Sequence, residues 1–388
     1  MKAFVLLWLA GACLRITLLA IPPVIPQIHD AFALSQAAIA ALASLPVLLF
    51  SFAAIPGSLL VARMGAARVV TIGLFVTAIA GALRGASVDA AMLFATTFAM
   101  GAGIAIMQPA LPAVVRDWVP HRIALGIATY SNGLLVGEAI SASLTIPYVL
   151  PAVHGDWRWS LVAWSVPVLA VAVASLFPPR RDSHATANAA RKRWWPDWND
   201  PLTWGVGILA GYASGLYYAA NAFLPDYLAA RGHPELLNAA LSALNWVQLP
   251  ASFLMLAYGS RLTLRRWPFV ALGALSLVAI AGMLLMSGGW LVAWSGVIGF
   301  CNAFLLILTL ALPPLLAHED DVHRLSAAML LVGYLCAFAI PIAGGFLWDR
   351  TGSPRVAFAP LIAFGVLSLG VAARVDFGKA RSRPSPAA

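Results

Sequence analysis

The sequence is poor in charged residues. Only 10% of its 388 residues are Asp, Glu, Lys or Arg, whereas 61% are hydrophobic. A soluble domain carries roughly 25% charged residues, so this chain has too few to cover a surface that faces water. The composition therefore excludes an ordinary soluble domain and places most of the surface in contact with lipid.

Cysteine is scarce as well. The three cysteines, Cys13, Cys301 and Cys336, all lie in apolar segments, so we predict small core side chains and not a disulfide framework. The sequence also lacks a phosphate-binding glycine loop with its Lys, a His/Cys metal-ligand spacing and a nucleophile elbow. We therefore predict no cofactor, no bound metal and no enzymatic activity.

Long apolar runs fill almost the whole chain. A membrane-spanning helix needs about 20 apolar residues, and these runs are too long for the strands of a membrane barrel. The sequence thus predicts an all-α membrane protein with twelve transmembrane helices. The predicted spans are 4–26, 36–61, 68–86, 90–115, 123–150, 159–177, 201–230, 236–258, 267–286, 290–316, 325–347 and 356–373.

The two halves of the chain are related at an offset of about 200 residues. The tripeptide Ala-Leu-Pro at 110–112 recurs at 311–313, and the dipeptide His-Arg at 121–122 recurs at 323–324. Two parallel six-helix halves are typical of the major facilitator fold, with the substrate site between them near the membrane midplane. The predicted domains are an N-terminal six-helix bundle at 1–177, a basic cytoplasmic linker at 178–200, a C-terminal six-helix bundle at 201–375 and a cytoplasmic tail at 376–388.

The net charge of +9 arises from an asymmetry of Lys and Arg between the two sides of the membrane. With the N-terminus in the cytoplasm, eighteen of the 24 basic residues fall in cytoplasmic loops and tails and four in outer loops. Cytoplasmic loops carry such an excess. We predict a monomeric, multi-pass protein of a bacterial inner membrane with both termini in the cytoplasm, surrounded by lipid and without a nucleic-acid partner.

One basic residue, Arg15, lies near the middle of the first predicted span, with apolar residues on both sides. A central Arg costs about 2.5–3.5 kcal/mol on insertion scales, so it must face protein or a water-filled cavity. Its planar, permanently charged guanidinium suits a carboxylate or another small anion. Two interpretations follow: Arg15 binds an anionic substrate, or it is tied to helix carbonyls or to a buried acid.

Glu138 is the carboxylate that lies deep within a predicted span. It is a candidate proton-coupling site and equally a candidate static partner for Arg15 or Arg84. Arg84 lies near the outer end of the third span, where a long basic side chain is expected to extend toward the membrane interface.

Uncharged polar residues accompany Arg15 on the spans that are expected to line a central cavity. Such groups around one Arg describe a site for a small polar ligand, although each alone is more often a contact between helices. The predicted substrate-binding residues are Arg15, Thr17, Gln108, Tyr130, Asn132, Tyr217, Tyr218, Asn221, Asn245, Gln248, Asn302 and Tyr334. In the fifth span, Gly133 and Gly137 form a small-residue pair that predicts close helix packing.

Several short motifs resemble the cyanate and 2-nitroimidazole transporter (CynX/NimT) family of the major facilitators, over nearly the whole chain. They are Leu14-Arg15 followed by Pro23 and Pro26, Leu83-Arg84, the stretch 101–122, Thr145-Ile146-Pro147, Asp156-Trp157-Arg158, Gly333-Tyr334, and Trp348-Asp349 through Thr351-Gly352. The resemblance implies a small planar or anionic substrate that Arg15 contacts. Ala62 departs from the general major facilitator motif, which has an Asp before Arg63, although the CynX/NimT family also tends to lack that Asp. Glu138 stands where the resemblance leads us to expect a small residue.

These observations leave three hypotheses open. The first is uptake of a small organic anion at Arg15, coupled to a proton. The second is efflux of neutral or weakly basic compounds, with Arg15 and Glu138 as a structural pair. The third is a membrane receptor that binds without transporting, which the paired halves disfavour because alternating access requires two units that rock.

Overall fold

Helices at the twelve predicted spans build the fold of the computed structural model, which describes residues 1–52, 54–179, 195–317 and 321–374. We name them α1 to α12. The first six are α1 (Lys2–Leu19, continued by Ile25–Phe32), α2 (Gln36–Phe52 and Ala54–Met64), α3 (Ala66–Leu83), α4 (Ala90–Trp118), α5 (Ile123–Leu144) and α6 (Trp157–Ser175). The second six are α7 (Pro201–Ala230), α8 (Leu237–Trp246 and Gln248–Leu262), α9 (Arg266–Leu285), α10 (Trp290–Leu310), α11 (Val322–Thr351) and α12 (Ala359–Arg374). The predicted all-α membrane fold is confirmed.

Nine helices within the described ranges are long and apolar enough to cross a membrane. The three spans that do not meet both criteria are α2, α7 and α8. Helices α2 and α8 each consist of two shorter pieces, and α7 is long but carries four tyrosines and Asn221. Almost every residue of α7 from Thr203 to Leu228 is buried. Because α7 lies inside the protein, it meets little lipid and tolerates these polar groups.

Helix α1 is broken within the predicted span 4–26. The α-helix ends at Leu19, a 3-10 turn occupies Pro22–Val24, and the helix resumes at Ile25. Pro22 and Pro23 have no N–H to donate to the preceding turn, so the helical hydrogen bonding stops there.

Prolines also explain the irregularities in α5 and α8. The helix of α5 widens into a π-turn at Thr145–Val149, around Pro147. In α8 the helix is interrupted at Val247, because Pro250 offers no N–H to the carbonyl of Trp246, four residues earlier. Both irregularities lie in the helices that face each other across the two halves.

The repeated Ala-Leu-Pro motif has different consequences in the two halves. Helix α4 runs through Pro109 and Pro112 without interruption, whereas α10 ends at Leu310 and a short helix, Leu312–Leu316, follows. The sequence repeat therefore marks equivalent positions that have diverged in backbone structure.

Separate hydrophobic cores stabilise the two halves. The largest cluster of buried side chains is centred on α7 and lies almost entirely in the second half, while two further clusters lie mainly in the first half. Cys13 and Cys301 are buried, Cys336 is partly buried, and all three are unpaired thiols. The boundaries at 177 and 201 stay a prediction. Most of the predicted linker, at 180–194, and the tail at 376–388 lie outside the described residues.

The two halves meet along two helix pairs. Helix α2 packs along α11, and α5 packs against α8. A side chain at Gly345 of α11 would collide with the backbone of Gln36 and Ala37 at the start of α2, so these two helices approach closely. The loop between α1 and α2 therefore sits over a tight junction of the halves.

Candidate functional site

An ion pair lies where the two halves meet. The Nε of Arg15 on α1 is 3.2 Å from Oε1 of Glu138 on α5, and the two side chains are only 10% and 4% exposed. The N–H of Nε does not point along this line, so the contact is electrostatic and not a hydrogen bond. From the other half, the hydroxyl of Tyr218 accepts a hydrogen bond from Nη1 of Arg15. Arg15 thus connects a carboxylate of its own half with a phenol of the other.

The glycines of α5 explain how the carboxylate reaches Arg15. A side chain at Gly133 would collide with the backbone of Trp8, and one at Gly137 would collide with the backbone of Ala12. Helices α1 and α5 therefore touch backbone to backbone, which confirms the close packing predicted from the glycine pair. Glu138 follows Gly137 directly and is held at this closest approach.

Aromatic rings surround the guanidinium of Arg15. Its Cζ lies 5.8 Å from the ring centre of Phe50 and 6.0 Å from that of Tyr218. The Phe50 ring in turn meets Tyr334 edge to face at 5.5 Å, and Tyr218 meets Tyr217 at 5.2 Å. Such rings stabilise a cation over their faces and offer flat surfaces to a planar ligand.

A chain of amide groups extends from this pair through the second half. The Tyr217 hydroxyl donates to Oδ1 of Asn245 at 2.8 Å, and Nδ2 of Asn245 lies 3.4 Å from Oδ1 of Asn221. Gln248 links Asn245 to Asn302 through two longer contacts of 3.4 Å. All five side chains are buried, and Oδ1 of Asn302 has no hydrogen-bond partner in the described part of the chain.

The chain of amides begins at the carboxylate itself. Tyr217 and Gln248 both lie beside Glu138, close enough for side-chain hydrogen bonding. The hydroxyl of Tyr217 has one proton and two neighbouring acceptors, Glu138 and Asn245. The Tyr217 hydroxyl donates to Asn245, so the chain of amides passes directly beside the carboxylate.

A second polar cluster joins the halves at the end of the molecule that carries the α1–α2 loop. The Asp349 carboxylate accepts the backbone N–H groups of Gln36 (2.8 Å) and Ala37 (2.9 Å), which begin α2. The Gln36 side chain donates to Oδ2 of Asp226 at 2.8 Å, and Nδ1 of His29 lies 3.2 Å from the same oxygen. We call His29, Gln36, Asp226 and Asp349 the loop-end latch, because each contact crosses from one half to the other.

A further hydrogen bond between the halves lies between the ion pair and this end. Nε1 of Trp246 on α8 donates to Oγ of Ser143 on α5 at 3.0 Å. Ser143 is more than one turn beyond Glu138 along α5. Along the membrane normal, these hydrogen bonds between the halves therefore lie either at the depth of Arg15 or closer to the α1–α2 loop.

Two predicted residues lie apart from the central site. Arg84 does not extend toward the membrane interface and does not pair with Glu138: it is completely buried, and its Nη2 donates to the backbone carbonyl of Thr17 at 2.7 Å. The prediction for Arg84 was therefore wrong. The Thr17 side chain is also fully buried, and its methyl group packs toward Gly81 of α3, on the opposite side of α1 from the cavity that we predicted for it.

Three more candidates occupy less central positions. Asn132 accepts a hydrogen bond from Nε1 of Trp8 at 2.9 Å, which connects α5 to α1 within the first half. The backbone of Tyr130 packs on Gly11, while its ring is half-buried. Gln108 is half-buried on α4 and makes no hydrogen bond to the described part of the chain. Their role in binding stays a prediction.

Sequence reasoning missed Phe50 and most of the loop-end latch. Helix α2 was not expected to contribute to the site, and a lone Phe in an apolar span gives no signal of its own. His29 and Gln36 lie at helix ends and resemble ordinary loop residues. A signal for Asp349 was available, because it lies within one of the family-like motifs. Among the described residues, no group of three His, Cys, Asp or Glu side chains is placed to hold a metal ion.

Twelve spans, two halves and a polar site between them define a multi-pass membrane transporter and not an enzyme. The chain belongs to the Major Facilitator Superfamily, whose family model matches residues 7–341. It is a secondary transporter, which binds a small-molecule substrate within the membrane.

Two curated relatives confirm the resemblance to the cyanate and nitroimidazole transporters, and a third is an uncharacterized transporter. The chain is 27% identical over 367 residues to the cyanate transport protein CynX of Escherichia coli (strain K12), covering 92% of this chain and 94% of that one. It is 26% identical over 361 residues to the 2-nitroimidazole transporter of the same organism, with 92% and 90% covered. The uncharacterized transporter YycB of Bacillus subtilis (strain 168) is 27% identical over 354 residues, with 90% and 87% covered.

Solved structures support the fold at lower sequence identity. A bacterial homologue of the human lysosomal transporter Spinster, in an inward-facing and occupied conformation, has a TM-score of 0.76 at 16% identity, covering 99% of this chain and 98% of that one. The nucleoside transporter NupG has a TM-score of 0.76 at 12% identity, with 96% and 98% covered.

Proposed function

We propose that this chain transports a small anion by alternating access, with Arg15 binding the anion and Glu138 carrying a proton. The observation that carries the proposal is the buried ion pair of Arg15 and Glu138 between the halves. Arg15 is permanently charged, whereas Glu138 is a carboxyl group that can be neutralised. An anion and the ionised Glu138 therefore compete for one guanidinium.

This competition couples the two solutes. A proton that binds Glu138 removes the negative charge opposite Arg15 and leaves the guanidinium free for the substrate anion. When the anion leaves, an unpaired Arg15 in a buried position is unfavourable, so Glu138 releases its proton and the pair forms again. The site is thus electrically balanced both when loaded with anion and proton and when empty.

The surroundings of Arg15 favour a small and planar anion. Phe50 and Tyr218 flank the guanidinium with rings whose centres lie 5.8 Å and 6.0 Å from Cζ. A guanidinium recognises a planar anion through parallel hydrogen bonds, and the rings contact its faces. One relative is named for transport of cyanate, a small linear anion that accepts hydrogen bonds at its terminal oxygen and nitrogen. We propose cyanate and small carboxylates as the first substrates to test.

The loop-end latch is the element that must open during transport. His29, Gln36, Asp226 and Asp349 hold the halves together at the α1–α2 loop. Substrate reaches the site from that end only after these contacts break, since the two halves rock about the site as units. In the orientation that the basic residues predict, this end faces away from the cytoplasm, in a bacterial inner membrane, and one chain forms the complete transporter.

A second candidate function is efflux of neutral planar compounds. It is favoured by the low exposure of the pair, 10% for the Arg15 side chain and 4% for that of Glu138, since the two charges neutralise each other and are largely hidden. The aromatic rings and the amides of Asn245 and Gln248 would then bind the substrate by stacking and hydrogen bonding. One relative is named for 2-nitroimidazole, a compound of this kind.

Transport into proteoliposomes separates the two candidates. Labelled cyanate is offered to the wild-type chain, to Arg15→Met, to Glu138→Gln and to the double variant. Anion transport with proton coupling predicts that Arg15→Met and the double variant lose uptake. It also predicts that Glu138→Gln still exchanges cyanate across the membrane but no longer accumulates it under a pH gradient. The control is Arg231→Met, since Arg231 binds carbonyls far from the site.

The same variants test the alternative with a neutral probe. Labelled 2-nitroimidazole is loaded inside the vesicles, and its exit is followed. If the pair is only structural, the double variant restores the exit that Arg15→Met loses. Accumulation of cyanate by Glu138→Gln at the wild-type level would contradict the proton-coupled mechanism, and cyanate uptake by a folded Arg15→Met would contradict anion binding at Arg15.

A further inference from the structure

The break in α1 leaves the backbone carbonyl of Thr17 without a partner from its own helix. In an uninterrupted helix the carbonyl of Thr17 would accept the N–H of Ile21. Here the N–H of Ile21 lies instead 3.5 Å from the carbonyl of Leu18, and the next residue, Pro22, has no N–H. An unsatisfied carbonyl within the membrane costs several kcal/mol, so the end of this helix requires a donor from elsewhere.

Arg84 supplies that donor. Its Nη2 lies 2.7 Å from the carbonyl oxygen of Thr17, and its side chain is completely buried. Among the described residues Arg84 has no acidic partner. The last carbonyls of a helix carry a partial negative charge, equivalent to roughly half an electron, and this charge attracts a cation. The broken end of α1 therefore compensates part of the charge of Arg84, and Arg84 caps the broken end.

The backbone of α3 brings Arg84 to this position. Gly81 lies against the Thr17 side chain, and a Cβ at Gly85 would come within 2.5 Å of the carbonyl oxygen of Arg158 on α6. A larger residue at either glycine would collide with α6, at Ser165 or at Arg158, and would shift the turn that carries Arg84. The geometry is therefore built by close packing of three helices and does not depend on one flexible side chain.

Thr17 is two residues beyond Arg15, so a donor that holds the carbonyl of Thr17 also holds the helical turn that presents Arg15. We infer that Arg84 is a positioning residue: it fixes the broken end of α1 and thereby keeps Arg15 in contact with Glu138 and Tyr218. Arg84 touches neither partner of the ion pair and acts through the backbone of α1. The inference rests on the proposed function only in the expectation that substrate affinity follows the placement of Arg15.

Thermal unfolding of the purified chain tests the inference without a substrate. Arg84→Met is made in the wild type and in the Glu138→Gln background. Because Glu138→Gln already removes the ion pair, we expect Arg84→Met to lower the Tm of the wild type by several degrees and that of Glu138→Gln by less than half as much. Equal Tm shifts in both backgrounds would overturn the inference, since a purely local cap does not depend on Glu138.

Arg231 provides a matched control in the other half. Its guanidinium donates to the carbonyls of Leu284 (3.1 Å) and Met286 (2.8 Å) at the end of α9, so it caps a helix end as Arg84 does. It is far from the ion pair. Arg231→Met should lower the Tm by the same amount with and without Glu138→Gln.

Cyanate uptake adds a reading of substrate affinity. Arg84→Met should raise KM for labelled cyanate by about tenfold, because a displaced binding group loses affinity steeply with distance. Arg84→Lys keeps a charged donor and should raise KM less than about threefold, and Arg231→Met should leave KM unchanged. If the wild type does not transport cyanate, the proposed substrate is wrong, but the unfolding measurements still decide the role of Arg84. If Arg15→Met abolishes uptake while Arg84→Met leaves KM unchanged and its Tm shifts are additive, only the role of Arg84 fails.

A suppressor variant covers the case in which Arg84→Met does not fold. Replacing both prolines, Pro22→Ala and Pro23→Ala, allows α1 to continue, so that the N–H of Ile21 reaches the carbonyl of Thr17. Arg84→Met should then fold in this background. Continued failure to fold would show that Arg84 serves something other than the break in α1.

Discussion

The ion pair of Arg15 and Glu138 gives a prediction whose size follows from the structure. At 3.2 Å and an effective dielectric constant of 20, two unit charges attract each other by about 5 kcal/mol. Removal of one partner of a buried pair typically costs about 3–5 kcal/mol, in the same range. The hydrogen bond to Tyr218 and the flanking rings retain part of the stabilisation of Arg15. We therefore expect a coupling energy of about 3 kcal/mol between the two residues.

The two single substitutions should differ in their effect. Glu138→Gln leaves a guanidinium that cannot lose its charge, whereas Arg15→Met leaves a carboxyl group that can bind a proton and become neutral. We expect Glu138→Gln to be the more destabilising of the two at pH 7. The double variant should be more stable than Glu138→Gln, because the unpaired charge is gone.

A double-mutant cycle measures this coupling. The free energy of unfolding is determined in mixed detergent micelles for the wild type, both single variants and the double variant. The control cycle combines Arg15→Met with Asp226→Asn, since Asp226 contacts His29 and Gln36 and not Arg15. Additivity within about 0.5 kcal/mol for Arg15 and Glu138 would refute the reasoning, because it would mean that the pair is open or solvated in the folded protein.

Three further predictions concern the packing and the latch. Asp349→Asn replaces the carboxylate that caps the start of α2 at Gln36, so it should weaken the loop-end latch by about 1–2 kcal/mol. The cavity should then open more often at that end, and a cysteine placed at the α1–α2 loop should be labelled faster. Unchanged labelling would show that the latch does not hold the halves closed. Gly137→Leu should separate α5 from α1 and abolish both folding yield and transport, whereas an unaffected variant would contradict the backbone contact. Asn132→Ala removes the hydrogen bond from Trp8 within one half and should cost only about 0.6 kcal/mol of unfolding free energy, with a loss above 2 kcal/mol pointing to a role in the site.

The broken helix gives the site a particular architecture. Arg15 stands about one turn before the α-helix ends at Leu19, ahead of the break at Pro22 and Pro23. A helix end within the membrane offers partial charges and free carbonyls that a continuous helix does not. Arg84 occupies that end from one side, and Arg15 faces the other half from the opposite side. The end of α1 thus serves two arginines: Arg84, which follows α3, binds its carbonyl, and Arg15 projects from it toward the other half.

The sequence by itself determined the fold. Low charge and long apolar runs left helices as the form of chain that satisfies backbone groups in lipid, and the internal repeat indicated two halves. The sequence also singled out Arg15 and Glu138, because a charge inside a span is costly and therefore stands out. The glycines of α5 predicted its close packing, because the spacing of small residues along one helix can be seen in the sequence alone.

Tertiary structure alone decided which charges pair. Arg15 and Arg84 each follow a Leu in an apolar span, so the sequence does not say which of them has an acidic partner. The packing of α5 against α1 places a carboxylate beside Arg15, and the packing of α3 against α1 places a backbone carbonyl beside Arg84. The sequence did not indicate Phe50 or the loop-end latch for the same reason. Their partners lie on other helices, and the sequence does not fix how each helix is rotated about its own axis. Periodicity in a uniformly apolar span is weak, so the face that each side chain turns to its neighbours is set by the contacts between helices.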